Sequence, residues 1–170
     1  MKVEHRLFRQ AGRTLQWVLV SWEGPPEGKV FVADCAGRRL ADLDLGYVDH
    51  ATAGPAIQGN ATLEVRYIPA TGTNIREQSV SLLQFQKEAI SVLWDHKSME
   101  LASAPLVPMD TADLYRWRFL DGGLRVAVTG TRTTGTIKDM RRGIIIGRNK
   151  ALPAESFCFD AKRGVFTGCR

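Results

Sequence analysis

The residues with the clearest chemical signal in this sequence are basic side chains gathered near its C-terminal end. Residues 131–170 hold 9 Lys or Arg and 3 Asp or Glu, a net charge of +6, whereas residues 1–130 have a net charge of −1. Guanidinium and ammonium groups bind phosphates and carboxylates, so this region is a candidate anion-binding site. Six of the nine basic residues lie within 131–150: Arg132, Lys138, Arg141, Arg142, Arg148 and Lys150.

Two interpretations of this basic segment (131–150) remain open. In the first, it is a flexible loop whose arginines clamp phosphates or carboxylates, with the Ile triplet at 144–146 holding one end in a sheet. In the second, it is a hairpin edge whose charges discourage edge-to-edge aggregation around an apolar strand. Arg116 and Arg118 would extend the same surface if their strand face joins it.

Two Asp-His dipeptides, Asp49-His50 and Asp95-His96, supply groups used in acid–base and metal chemistry. Neighbouring residues of a strand point to opposite faces, so neither pair forms a dyad by itself. A hydrolase would require the fold to bring the pairs into one cleft; otherwise they are strand-end residues. The sequence contains no Walker A motif, no Gly-x-Ser-x-Gly elbow and no Cys-x-x-Cys pair. We therefore predict no metal and no cofactor.

The three cysteines indicate one disulfide. Cys158 and Cys169 flank the turn residues AKRG at 161–164. If Arg163 and Gly164 form the tight turn, the two cysteines lie directly opposite each other, near the Cα separation that a disulfide tolerates. Such a bond implies an oxidising compartment and leaves Cys35 as an odd, buried thiol.

The elements that must position these residues are β-strands. In the segments TLQWVLVSW (14–22), TLEVRYI (62–68) and LYRWRFL (114–120), apolar side chains alternate with their neighbours at the period of a strand. The last segment is the clearest, since Tyr115, Trp117 and Phe119 share one face. No stretch of twelve residues has a helical stripe, although residues 40–50 and 109–114 each have room for one or two helical turns.

Turn chemistry indicates hairpins between these strands. Asp121-Gly122 is a strong hairpin signal and predicts that 114–120 pairs with 124–130. Lys87-Glu88 joins 79–86 to 89–95 in the same way, and residues 155–170 form a C-terminal hairpin. We predict a single all-β domain over residues 1–170, mainly an antiparallel meander of hairpins. A sandwich, a barrel and propeller-like blades all fit this pattern.

These observations favour a non-enzymatic β-domain for binding or assembly, with another protein as partner. One alternative is binding of an anion or nucleic acid through the basic segment, with Tyr115 and Trp117 available for stacking if their face is open. The other alternative is a hydrolase with an Asp/His site. The longest apolar run, at 17–20, is too short for a membrane span. The disulfide favours a periplasmic or secreted protein whose leader has been removed; a cytoplasmic protein is the alternative.

Overall fold

The computed structural model describes residues 1–22, 27–69, 72, 74–103, 106, 108–139 and 144–169. Over these residues the protein is all-β, as predicted, and its one helical element is a 3₁₀ turn at Asp121–Gly123. None of the described helical structure is long and apolar enough to cross a bilayer. The described residues form these strands: β1 (Lys2–Gln10), β2 (Arg13–Trp22), β3 (Glu27–Asp34), β4 (Arg39–Leu45), β5 (Tyr47–Ala53), β6 (Thr62–Ile68), β7 (Ile75–Gln86), β8 (Ala89–Ala102), β9 (Asp110–Leu120), β10 (Arg125–Asp139), β11 (Ile144–Ala151), β12 (Glu155–Asp160) and β13 (Val165–Gly168).

The strands form two antiparallel sheets. Four strands make the first sheet, in the order β1-β2-β3-β4. The second has nine, in the order β13-β12-β10-β9-β8-β7-β6-β5, with β11 also paired to β10. Neighbours in sequence are mostly neighbours in the sheet, so short turns rather than crossovers connect the strands.

Residues 40–50 and 109–114, where the sequence left room for one or two helical turns, contain no helical turn in the structure. Residues 40–50 fall mostly in β4 and β5, and β9 begins at Asp110. In β4 the acidic residues Asp42 and Asp44 are exposed. Both form ion pairs with Lys29 on β3, whose Nζ is 3.3 Å from Oδ2 of Asp42 and 2.8 Å from Oδ1 of Asp44. The alternate residues, including Leu43, pack against the core, so a period of two and a cross-strand cation stabilise the extended form here.

Both hairpins predicted from turn residues are confirmed. Asp121 and Gly122 have φ angles of 53° and 66°, and β9 pairs with β10 from Leu120 and Arg125 onward. Lys87 and Glu88, at φ 51° and 59°, occupy the two central positions between β7 and β8. In the two-residue turn at Lys87 and Glu88, positive φ at both positions gives the twist that the flanking strands need.

Contacts between Cα atoms divide the chain into two compact units. The first comprises Met1–Pro69 and Val80–Asp95, and the second comprises Ala70–Ser79 and His96–Arg170. A single domain over residues 1–170 stays a prediction beside this division.

The first unit has a sandwich-like core between the four-stranded sheet and the strands β5, β6 and β7. Its largest fully buried side chain is Trp17, which stacks on Phe8 with ring centroids 5.1 Å apart. Ser21 ties β2 to β5, because its hydroxyl both donates to the carbonyl of Val48 and accepts that residue's N–H, each at 3.1 Å.

In the second unit, β10 is the central strand. It pairs with β9 from Arg125 to Gly135 along one edge. Along its other edge it pairs first with β12, at Arg125 to Val128, and then with β11, from Thr131 to Asp139. This arrangement makes a ribbon of residues 131–139 and 144–151, which is two-stranded beyond Gly135 and contains most of the basic segment.

Candidate functional site

Where the structure describes it, the basic segment is a hairpin, as in the second interpretation, and not a flexible loop. Residues 131–139 and 144–150 belong to β10 and β11, which pair continuously apart from a bulge at Lys138. Alternating Thr and Ile residues favour extended backbone, which explains why the segment forms a hairpin. Arg141 and Arg142 lie outside the described residues.

Two opposed glycines hold the ribbon strands close together. Gly135 pairs with Gly147 in the register. A Cβ atom at Gly135 would lie 2.1 Å from the carbonyl oxygen of Ile146, and one at Gly147 would lie 2.0 Å from that of Thr134. Any other residue would push the two backbones apart, so the close approach requires glycine at both positions.

The pairing register places alternate ribbon residues on one face, which we call the cationic face. On the opposite side, Ile145 packs against Met99, Leu101 and Ala112. Because side chains alternate along each strand, residues paired with each other share a face. The cationic face consists of Arg132, Thr134, Thr136, Ile144, Ile146, Arg148 and Lys150.

Arg132 on this face is engaged by Asp113 of β9. Its Nε donates to Oδ1 at 2.7 Å and its second terminal nitrogen donates to Oδ2 at 2.5 Å, a bidentate pair. The Asp113 side chain is only 9% exposed, whereas that of Arg132 is 50% exposed. The hydrogen bond and the charge of Asp113 raise the pKa of Arg132. The charge of Arg132 is therefore matched within the fold.

Arg148 and Lys150 differ from Arg132 in this respect. Both side chains are exposed, and neither forms an ion pair within the described part of the chain. They lie two residues apart on one strand, so both point to the same side. Ile144 and Ile146, 46% and 64% exposed, continue the same face toward the ribbon tip.

The other predicted cations are placed differently. Lys138 is exposed at the bulge, where it has no register partner on β11. Arg116 and Arg118 do not extend the cationic face. Arg118 pairs with Ala127 and Arg116 with Thr129, so both lie on the opposite side of the sheet from Arg132.

His96 lies in a second polar cluster of the same unit. Its Nδ1 is 2.6 Å from the carbonyl oxygen of Lys97, and its Nε2 is 3.4 Å from Oε1 of Glu155. The rings of Tyr115 and Phe157 meet it edge-on, with centroids 5.1 Å and 5.9 Å away. Only 12% of the His96 side chain is exposed. Glu155 was not recognised from the sequence, because it lies 59 residues away and no local motif marks the pairing.

Tyr115 is held between this cluster and the ribbon. Its ring lies over Gly130, where an added Cβ would come within 2.9 Å of the ring. Burial, and after it the nearby carboxylates of Asp113, Glu100 and Glu155, raises the pKa of Tyr115. Trp117 is also half-buried and pairs with the buried Val128. Neither ring stands free on an open platform.

Asp95 and His96 have separate partners, as strand alternation predicts. Asp95 belongs to the first unit, where its Oδ1 accepts hydrogen bonds from Ser81 at 2.6 Å and from Tyr67 at 3.0 Å. Ser81 is 1% exposed, so its hydroxyl has a structural partner and no access to a substrate. Asp49 and His50 lie on β5 in the first unit at a bulge in its pairing with β6. The described residues contain no group of three or more His, Cys, Asp or Glu arranged to hold a metal ion.

The predicted disulfide between Cys158 and Cys169 is present, with a Cα–Cα separation of 5.1 Å. The expected register is wrong, however. The turn covers four residues, 161–164, so Cys158 pairs with Thr167 and the N–H of Cys169 donates to the carbonyl of Ser156. The cysteines are thus diagonal neighbours rather than directly opposite, and a shift of two residues keeps them on one face.

The third cysteine, Cys35, is exposed rather than buried, and its thiol donates to the carbonyl of Thr14 at 3.2 Å. Beside the disulfide lies a depression of about 490 Å³. Of the described residues that line it, the one arginine, Arg163, is 3.7 Å from Asp160, so these residues offer a ligand no unmatched cation.

Comparison with known proteins assigns no family to this chain: no family model, curated protein sequence or solved structure matches it.

Proposed function

We propose that this protein is a non-enzymatic β-domain that binds a partner protein through the cationic face of the ribbon. One observation carries the proposal: Arg148 and Lys150 are exposed side by side, without ion pairs within the described residues. Some other cations of the same unit are matched, among them Arg132 by Asp113 and Lys97 by Glu77 and Glu100. A pair of unmatched charges is available to an acidic partner and attracts it over several ångströms.

The apolar residues beside these cations favour a protein partner over a simple polyanion. Ile144 and Ile146 expose about half of their surface next to Arg148. Protein interfaces combine apolar contact with arginine, whereas nucleic-acid interfaces combine phosphate contacts with groove readout or stacked bases. Tyr115 and Trp117 are half-buried, so the stacking that would favour single-stranded nucleic acid receives little support.

A hydrolase receives the least support from the geometry. His96 lies against a carbonyl, a carboxylate and two aromatic rings, and 12% of its side chain is exposed. General acid–base catalysis requires the imidazole to reach the proton that it transfers. The disulfide supports an oxidising compartment, such as the periplasm or the extracellular space.

The experiment compares two double variants with equal loss of charge. Arg148→Ala with Lys150→Ala removes the unmatched cations of the cationic face, and Arg116→Ala with Arg118→Ala removes two exposed cations from the opposite side of the sheet. Binding is measured by fluorescence anisotropy with labelled poly-L-glutamate and, in parallel, with duplex DNA. Each exposed ion pair contributes about 0.2–1 kcal/mol, so the first variant should bind poly-L-glutamate roughly 2- to 30-fold more weakly.

The control variant should bind almost as the wild type does. Equal losses in both variants would mean that only net charge matters, and the proposal would fail. Tighter binding to duplex DNA, with a steep salt dependence that flattens in the first variant, would establish the polyanion alternative instead.

A further inference from the structure

The ribbon leaves one edge of β11 without a strand partner. Among the described residues, β11 pairs with β10 alone, along one edge. The other edge therefore presents backbone N–H and C=O groups. An exposed strand edge is a template for a further strand, and proteins use such edges to bind extended peptides.

Hydrogen bonds within the ribbon show which backbone groups point outward. The N–H of Leu152 donates to the carbonyl of Gly130 at 2.9 Å, so these two residues form a hydrogen-bonded pair of the ladder. In contrast, the N–H of Ile137 donates to Oδ2 of Asp110, at the start of β9, and so faces away from β11. Hydrogen-bonded and non-hydrogen-bonded residue pairs alternate in an antiparallel ladder. Ile137 pairs with Ile145, so this is a non-hydrogen-bonded pair.

The same alternation extends to the rest of β11. Its odd-numbered residues form the non-hydrogen-bonded pairs with β10. The N–H and C=O groups of Ile145, Gly147 and Asn149 therefore point to the open edge. Even-numbered residues bond to β10 and place their side chains on the cationic face. The outward backbone groups and the unmatched side chains of Arg148 and Lys150 are therefore neighbours.

We propose that β11 accepts an acidic, extended segment of a partner protein as an added β-strand. This inference rests on the proposed function and specifies its binding mode. A strand beside β11 would place alternate side chains next to Lys150, Arg148, Ile146 and Ile144 in turn. An antiparallel partner would therefore read acidic-x-acidic-x-apolar-x-apolar from its N-terminus, and a parallel partner would read the reverse.

A second copy of this chain fits the edge less well in a parallel, in-register arrangement. Parallel pairing of two β11 strands in register would place Arg148 beside Arg148 and Lys150 beside Lys150, and like charges directly opposite each other destabilise a strand pair. Lysine and arginine on an edge strand commonly act against self-pairing, and they leave the edge open to a partner of opposite charge.

The test uses a labelled peptide, Glu-Thr-Glu-Thr-Val-Thr-Val, for antiparallel addition and its reversed sequence for parallel addition, with a scrambled sequence of the same composition as the control. Asn149→Pro removes one outward N–H without removing a bond to β10, and proline is tolerated where the N–H of an edge strand faces solvent. Asn149→Ala is the matched variant: it removes the side chain, which bonds Thr133, and keeps the N–H. Loss of one hydrogen bond and local obstruction should weaken binding by Asn149→Pro about tenfold relative to Asn149→Ala.

A second measurement leaves the protein unchanged. Peptides N-methylated at alternate residues lose the donors of one edge, so one of the two methylation patterns should abolish binding to the wild-type chain while the other is tolerated. This arm decides the question even if Asn149→Pro fails to fold.

The outcomes separate the two proposals. If Asn149→Pro binds as Asn149→Ala does and both methylated peptides bind normally, while loss of Arg148 and Lys150 still weakens binding, strand addition is refuted and the cationic surface stands. If loss of these cations has no more effect than loss of Arg116 and Arg118, the proposed function itself fails. Concentration-dependent self-association that Asn149→Pro abolishes would assign the edge to a second copy and overturn the acidic partner.

Discussion

Replacement of Arg132 by Met should destabilise this protein more than replacement of its partner Asp113 by Asn. The pair is bidentate, but its two members differ in exposure: 9% of the Asp113 side chain is accessible to solvent, against 50% for Arg132. Arg132→Met leaves a carboxylate enclosed without its cation. Asp113→Asn leaves a guanidinium that water already reaches and that keeps an amide oxygen as acceptor.

The magnitude follows from this asymmetry. Breaking a buried ion pair from one side costs about 3–5 kcal/mol, whereas an exposed pair contributes about 0–1 kcal/mol. Asp113 is nearly buried and Arg132 is half-exposed, so we expect Arg132→Met to lower the free energy of unfolding by about 2–3 kcal/mol and Asp113→Asn by about 1 kcal/mol. The double variant should be more stable than Arg132→Met alone, because it no longer encloses an unmatched charge.

Urea denaturation of all four proteins, with the disulfide intact, gives the coupling energy of the cycle. We expect a coupling of about 1–2 kcal/mol, with denaturant slopes that stay constant across the series. The reasoning would be refuted if the two single variants were equally stable, or if their effects added in the double variant. In that case solvent screens the pair, and Arg132 counts with the unmatched cations of the ribbon.

Three further predictions concern other parts of the second unit. Replacing Cys158 and Cys169 by Ser should lower the free energy of unfolding by about 3 kcal/mol, from the chain entropy of a loop closed over a sequence separation of 11, as calorimetry with and without reductant will measure. Gly135→Ala would bring a Cβ to 2.1 Å from a carbonyl oxygen of β11, so amide hydrogen exchange should accelerate across the ribbon while the first unit stays protected. Burial and then the nearby carboxylates, Asp113 first, raise the pKa of Tyr115 above 10.0. Its contribution to stability is therefore complete below pH 10 and is lost as pH rises through the higher folded-state pKa, as the absorbance of tyrosinate against a Tyr115→Phe reference should show.

The sequence alone determined the fold class and two hairpins. Alternation in residues such as Tyr115 and Trp117 and the turn signals Asp121-Gly122 and Lys87-Glu88 act over a few residues, so they can be read without tertiary information. The same local logic failed at residues 40–50, where cross-strand pairs and burial stabilise strands although the spacing also allowed helical turns.

The disulfide was predicted correctly from an incorrect register. Sequence spacing indicated that Cys158 and Cys169 lie on the same face of the hairpin. They still do, because the observed turn shifts the pairing by two residues, and only a shift by one would move a side chain to the other face. The length of the turn depends on how the chain packs around Asp160, whose carboxylate accepts the N–H groups of Lys162 and Arg163. The alternation of side chains along the strands does not indicate the length of this turn.

The candidate site depended most on tertiary structure. The excess of basic residues in 131–150 is a property of the sequence, but composition does not show that Arg132 has an ion-pair partner and Arg148 has none among the described residues. Only the register of β9 and β10 brings Asp113 beside Arg132, 19 residues away, and only the sheet order leaves the far edge of β11 open. Strand pairing joins residues distant in the chain, so which charges are matched and which remain available is decided by the fold and not by the local pattern.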